Sequence, residues 1–198
     1  MNTSIPKLYG LVLSGGKSTR MGTDKGLITY HQKPQREHLY RLLQLVCDKV
    51  FLSIREEQKT DLSEEITTIT DLNEFKGPYN GLLSAHTKYP DVAWLVLACD
   101  LPLIDINAIN ELISQRDYTK NATTFAIKKN PLPEPMFAIW EPKAFKTSID
   151  YLREGLSTCP RKFLINHDTK LVFPKNEQVL YNANSLSEFE MAKAMVKK

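Results

Sequence analysis

Apolar residues fall in short blocks separated by polar stretches, and the blocks differ in period. Residues 8–13 are apolar or small throughout and predict a first strand, central in a parallel sheet. Residues 36–49 place Leu39, Leu42, Leu43, Leu45 and Val46 at roughly helical spacing and predict an amphipathic helix. Residues 50–54 and the β-branched run 66–70 predict strands two and three, the latter ending at Asp71. The charged stretch 55–65 between them predicts a loop or short helix. A helix is expected from Gly77-Pro78 to Lys88. Residues 92–98 give the strongest strand and run straight into Cys99-Asp100-Leu101-Pro102. Ile106, Ile109, Leu112 and Ile113 mark one face of a helix over 105–116. Strands over 122–127 and 136–140, helices over 143–153 and 161–167, a short strand over 171–173 and a closing helix over 186–196 complete the reading.

Strands and helices alternate for most of the length. That pattern predicts an α/β fold with a mostly parallel central sheet flanked by helices. Ligands in such folds bind outside the carboxyl ends of the strands. The loop after residue 13, Asp71 and Asp100 all fall at predicted carboxyl ends.

Composition narrows the class. At 198 residues the chain suits one domain, 1–198, with one sizeable core. A net charge of +3, without a basic tract, argues against a nucleic-acid partner. Cys47, Cys99 and Cys159 are far apart and form no C-x-x-C, which predicts a reducing, cytoplasmic setting. No signal peptide or membrane span is expected. The four histidines, His31, His38, His86 and His167, show no metal-ligand spacing and are expected to be structural or on the surface.

The chemistry concentrates after strand one, in Leu13-Ser14-Gly15-Gly16-Lys17-Ser18-Thr19-Arg20-Met21-Gly22-Thr23-Asp24-Lys25. Glycines let backbone amides approach an anion, and Lys17, Arg20 and Lys25 surround them with positive charge. Two commoner motifs fail on counting. A P-loop ending at Gly16-Lys17-Ser18 would need glycine at Leu11. A dinucleotide fingerprint from Gly15 would need glycines at Lys17 and Arg20. The ordinary alternative is a strand-to-helix turn with surface cations.

The pattern L-x-G-G-x-S-x-R-M-G-x-x-K closely resembles the signature loop of Rossmann-like nucleotidyltransferases, most of all the molybdenum cofactor guanylyltransferases of the MobA family. Ser14 stands where alanine is usual. The x-x-C-D-x-P core around Asp100 resembles the family's metal-binding aspartate motif, and a strand-end carboxylate suits Mg²⁺ beside phosphates. The alternative for Asp100 is a cap for the following helix. Asp71 and Gly77-Pro78-Tyr79-Asn80-Gly81 also resemble the family, which places the aspartate near the ribose and metal side and the G-P-x-x-G turn beside the base. Tyr181-Asn182-Ala183-Asn184-Ser185 resembles N-x-N-T-P, with Asn182 the first choice and Asn184 the second for a further metal ligand. Pro135-Met136-Phe137-Ala138 resembles the segment bordering the acceptor pocket, and Arg161 resembles a basic position preceding the family's F-L helix, with an exposed cation at a helix start as the alternative.

The resemblance implies a three-layer Rossmann-like enzyme that moves GMP from GTP to molybdopterin cofactor and releases pyrophosphate. It implies Mg²⁺, with Mn²⁺ as a substitute, and contacts with other cofactor-biosynthesis or molybdoenzyme-maturation proteins. Lys25, Arg20 and Asp100 would be catalytic. Leu13, Ser14, Gly15, Gly16, Lys25, Ser53, Asp71, Gly77 and Asp100 would bind the nucleotide, and Asp100 with Asn182 the metal. The family's base-reading asparagine near the end of strand two is replaced by Ser53-Ile54-Arg55. Guanine selectivity is therefore expected in reduced form, from backbone near Leu13 and Gly77, with Ser53 giving one bond and Arg55 approaching O6. Alternatives are cytidylyl transfer to the same cofactor, transfer to a sugar phosphate or phosphorylated alcohol, and a non-catalytic nucleotide-binding relative.

Overall fold

A computed structural model describes residues 5–15 and 24–196. Its seven strands are β1 (Leu8–Leu13), β2 (Lys49–Ile54), β3 (Thr68–Thr70), β4 (Ala93–Ala98), β5 (Ala122–Phe125), β6 (Phe137–Trp140) and β7 (Thr169–Val172). Its helices are α1 (Gln35–Gln44), α2 (Pro78–Lys88), α3 (Ile106–Ser114), α4 (Pro142–Arg153), α5 (Pro160–Asn166) and α6 (Leu186–Val196). The strands form one sheet in the order β3-β2-β1-β4-β6-β5-β7. β3, β2, β1 and β4 run parallel, and β5 runs parallel to β7. β6 is antiparallel to both its neighbours.

Alternation along the strands divides the core into two layers. Val12, Leu52, Leu95 and Leu97 pack with Leu39 and Leu43 of α1 and Ile109 and Leu112 of α3. Leu11, Phe51, Trp94 and Val96 pack with Leu82 of α2, Phe145 of α4 and Phe163 of α5. The expected α/β architecture, a mostly parallel sheet between helical layers, is what the chain adopts. A third, smaller cluster seats α6 elsewhere. There Ala192 and Phe189 meet Tyr30, Tyr181 and Ala183, so the last helix covers the segments bearing Lys25 and Asn182.

Several boundaries move. The helix expected over 36–49 ends at Gln44, and Lys49 opens β2. Asp48 is the reason: its amide donates to Leu8 O at 3.0 Å and its carboxylate accepts from Leu8 N at 3.2 Å, which starts the sheet. The charged stretch contains a 3₁₀ turn over Glu56–Asp61, and another spans Glu177–Leu180. The strand expected over 171–173 lies at Thr169–Val172.

Candidate active site

Because β1 to β4 run parallel, Ser14-Gly15, Asp71 and Asp100 emerge on one edge of the sheet. They border a cavity of about 440 Å³ that also meets Leu13, Lys25, Ser53 and Gly77. Leu13, Ser14, Gly15, Lys25, Ser53, Asp71, Gly77 and Asp100 thus share one cavity. Gly16, Lys17, Arg20 and Gly22 lie outside the described residues.

Asp100 does not cap α3. That role falls to Asp105, whose carboxylate accepts from Ala108 N at 2.8 Å. Asp100 is freed to face the cavity. Its Oδ2 accepts from Asn182 Nδ2 at 3.4 Å, and its carbonyl accepts from Ala183 N at 2.8 Å. Oδ1 is buried and meets no hydrogen-bond partner among the described residues. An ionised oxygen so placed is costly unless a cation reaches it. The line of contacts continues: Asn184 Nδ2 donates to Asn182 Oδ1, and Lys25 Nζ donates to Asn184 Oδ1. Lys25, Asn184, Asn182 and Asp100 therefore form one polar chain, although 159 positions separate the lysine from Asn184. Glu188 fixes the asparagine segment. Its Oε2 accepts from Asn184 N and Ser185 N, both at 2.8 Å, while Ser185 Oγ accepts from Glu188 N at 3.3 Å. This reciprocal cap at Ser185 starts α6.

One carboxylate, with one of its oxygens orphaned, and two asparagine side chains make a donor set suited to a hard, oxygen-seeking cation. No group of three His, Cys, Asp or Glu side chains gathers among the described residues. With this set, most positions around Mg²⁺ would fall to phosphate oxygens and water.

Asp71 lies at the other side of the cavity. β2 and β1 separate β3 from β4, a spacing of roughly 14 Å in the sheet. Ser53 Oγ donates to Asp71 Oδ1 at 2.6 Å. Burial raises the Asp71 carboxyl above the usual range, against the opposing pull of Ser53, Asn80 and Arg55. These contacts set Asp71 against the Gly77–Gly81 turn, on the cavity it shares with Asp100. Gly15 has no room for a side chain, since a methyl there would lie 2.4 Å from Asp71 Oδ2. Arg55 lines the cavity and is held there by two contacts: Nη1 donates to Gly15 O and Nε to Glu57, each at 2.8 Å.

Met136, expected on the acceptor side, lines the cavity. Next to it, Glu134 Oε1 accepts from Met136 N at 3.1 Å and Oε2 pairs with Arg161 at 2.6 Å. Arg161 Nε also donates to Pro133 O at 3.0 Å. Arg161 is thus ion-paired beside Met136 rather than a solitary surface cation. Of the histidines, His31 and His38 stack at 3.9 Å and His86 stacks on Phe145, all structural contacts. Burial and Asp100 push the Cys99 thiol up to about 12, so it is inert as a nucleophile.

Gln58 and Asp24 contribute interactions that the sequence reading missed. Gln58 Nε2 donates to Ser14 O at 3.0 Å and to Asp24 Oδ2 at 2.6 Å. Gln58 sat unmarked in a charged stretch, and Asp24 was one acidic residue among basic ones.

A family model described as the MobA-like NTP transferase domain matches residues 10–170. The chain belongs to this family. The MobA-like domain therefore spans β1 to β7 and carries Asp71, Asp100 and the glycine loop, while Asn182 and Asn184 lie beyond it. A molybdenum cofactor biosynthesis bifunctional protein of Synechocystis sp. is 39% identical over 92% of this chain and 52% of its own length. The chain thus spans about half of that relative. A probable molybdenum cofactor guanylyltransferase of Flavobacterium johnsoniae is 32% identical over 69% of this chain and 70% of its own. The crystal structure of molybdopterin-guanine dinucleotide biosynthesis protein A from Archaeoglobus fulgidus shares the MobA-like fold. Its TM-score is 0.78 at 18% identity, over 96% of this chain and 98% of that one.

Proposed function

We propose that the protein transfers GMP from GTP to molybdopterin cofactor and releases pyrophosphate. The observation that carries this reading is the polar chain Lys25–Asn184–Asn182–Asp100 along one side of a strand-end cavity. It offers a cation and a carboxylate oxygen without a partner among the described residues, where a nucleotide's phosphates would lie. The Synechocystis and Flavobacterium relatives, by name, support the molybdenum cofactor as acceptor.

Positioning and electrostatics do the chemical work. A phosphomonoester acceptor is already an anion at neutral pH, so no general base is required. The difficulty is to bring two anions together and stabilise charge around the α-phosphorus. Lys25 would bind the triphosphate, helped by Arg20 and by the amides of Gly15 and Gly16. Asn184 holds the Lys25 ammonium at the cavity. Asp100 and Asn182 would hold Mg²⁺, which supplies charge neutralisation at the phosphates when bound. The pair Glu134–Arg161 borders the acceptor's approach beside Met136.

No helix of the described residues is long and apolar enough to cross a membrane. We place the reaction in the cytoplasm, where GTP and Mg²⁺ are supplied, with contacts to other cofactor-biosynthesis proteins for delivery of the acceptor.

The test is pyrophosphate release from each nucleoside triphosphate in the presence of Mg²⁺ and molybdopterin cofactor. Release with GTP well above CTP and ATP, dependent on the acceptor, is expected. A CTP preference would overturn guanylyl transfer and leave nucleotidyl transfer standing. Turnover only with a sugar phosphate would overturn the acceptor.

A further inference from the structure

Four polar side chains, Ser53, Asp71, Asn73 and Asn80, line the end of the cavity bordered by Gly77–Gly81. Ser53 is fully committed. Its hydroxyl donates to Asp71 at 2.6 Å, and the residue is 1% exposed. α2 presses on it so closely that a methyl at Gly81 would lie 2.4 Å from Ser53 Oγ. It cannot turn to a ligand without abandoning Asp71. Arg55 is committed as well, to Gly15 O and Glu57.

Asn80 differs. It stands third in α2, behind the turn that Gly77 makes at φ 62°. Its Nδ2 donates to Asn73 Oδ1 at 3.4 Å, and its Oδ1 accepts from Phe75 N at 3.5 Å. Both lie at the outer limit of hydrogen bonding, so the amide is only weakly held. It also interacts with the Asp71 carboxylate. A loosely held amide donor therefore sits beside a carboxylate acceptor, on the cavity wall.

Resting on the guanylyl-transfer reading, we propose that Asn80 is the base-specificity residue of this protein: its Nδ2–H donates to guanine O6 while Asp71 accepts from the adjacent N1–H. A donor next to an acceptor complements the acceptor–donor order of guanine's edge. Adenine and cytosine present an amine followed by a ring-nitrogen lone pair. Rotating the amide rescues the first contact, but the lone pair still faces the Asp71 carboxylate. The pair so formed takes over the task of the amide that strand two lacks at Ser53.

Competition binding of GTP, ITP, ATP and CTP to the intact protein and to Asn80→Ala tests this. Inosine keeps O6 and N1–H, so GTP and ITP should weaken together, by about 10-fold or more, while ATP and CTP hardly change. Asn80→Asp sets a second carboxylate against O6 and should lower the GTP-to-ATP ratio further. It is isosteric, and an acid suits the first turn of a helix, so it serves if the alanine variant misfolds. An unchanged GTP-to-ATP ratio in folded variants would overturn the role of Asn80, as would equal loss for all four nucleotides. A wild-type protein that does not prefer GTP would overturn the guanylyl-transfer reading itself, and this assignment with it.

Discussion

Gln58 Nε2 donates to Asp24 Oδ2 at 2.6 Å and, with its other proton, to Ser14 O at 3.0 Å. One buried amide therefore joins the two described positions that flank the glycine-rich segment. Its own oxygen accepts from Arg55 N at 2.8 Å, which anchors it in the turn after β2. Gln58→Ala should leave Asp24 and Ser14 O without their donor, costing about 1–3 kcal/mol of stability and raising the KM for GTP. Gln58→Glu should be worse, because it sets one carboxylate against another. Denaturant melts and steady-state kinetics check both. A Gln58→Glu variant with wild-type KM would show that the clamp does not shape the site.

Lys25 is the only cation of the loop within the described residues, and Asn184 fixes its ammonium. Lys25→Ala should lower turnover about 10²-fold or more with little change in the melting temperature. Asn184→Ala leaves the charge but frees it to wander, so a smaller loss is expected. Single-turnover rates at saturating GTP measure both, and equal losses would mean that Asn184 does more than hold the lysine.

Asp100→Asn keeps the shape and removes the charge. Since Oδ1 meets no partner among the described residues, little of the described fold depends on it. The variant should bind GTP in EDTA nearly as the wild type does, yet gain little from added Mg²⁺. Titration calorimetry with and without metal is the measurement. Equal loss of affinity in both conditions would give Asp100 a different role.

The parts legible in the sequence are those with local signatures. The runs at 8–13 and 92–98 are apolar because both faces of the central strands are covered, so their carboxyl ends could be placed in advance. Asp100 followed from that placement, and Asp71 from the β-branched run 66–70. Long-range pairings were not legible. Nothing in the charged run after Arg55 marks Gln58 as reaching Ser14, and nothing near Asn184 points to Lys25. The reversal of β6 depends on packing against β4 and β5, which a short apolar run does not encode. Nor can spacing alone show that Arg55 reaches Gly15 O.

His38 gives the structure a pH dependence that the sequence hid. Its ring stacks on His31 at 3.9 Å, and His31 Nε2–H donates to Pro102 O at 2.7 Å, two residues past Asp100. Burial first, and then the neighbouring His31, pushes His38 down to about 4. In the unfolded chain the ring titrates near about 6.5. Between those values the unfolded state binds a proton that the native state refuses, so stability falls as pH drops. The contribution is complete above pH 6.5 and is lost on acidification toward pH 4. Its size is about 2 kcal/mol, once the partial exposure of the ring is allowed for. His38→Gln keeps a polar planar group and removes the proton site, so its stability should fall less steeply across this window. Chemical denaturation at pH 7, 6, 5 and 4 compares the two proteins, and the wild type should lose more in every step below pH 6.5. Parallel curves would show that His38 is not protonated on unfolding.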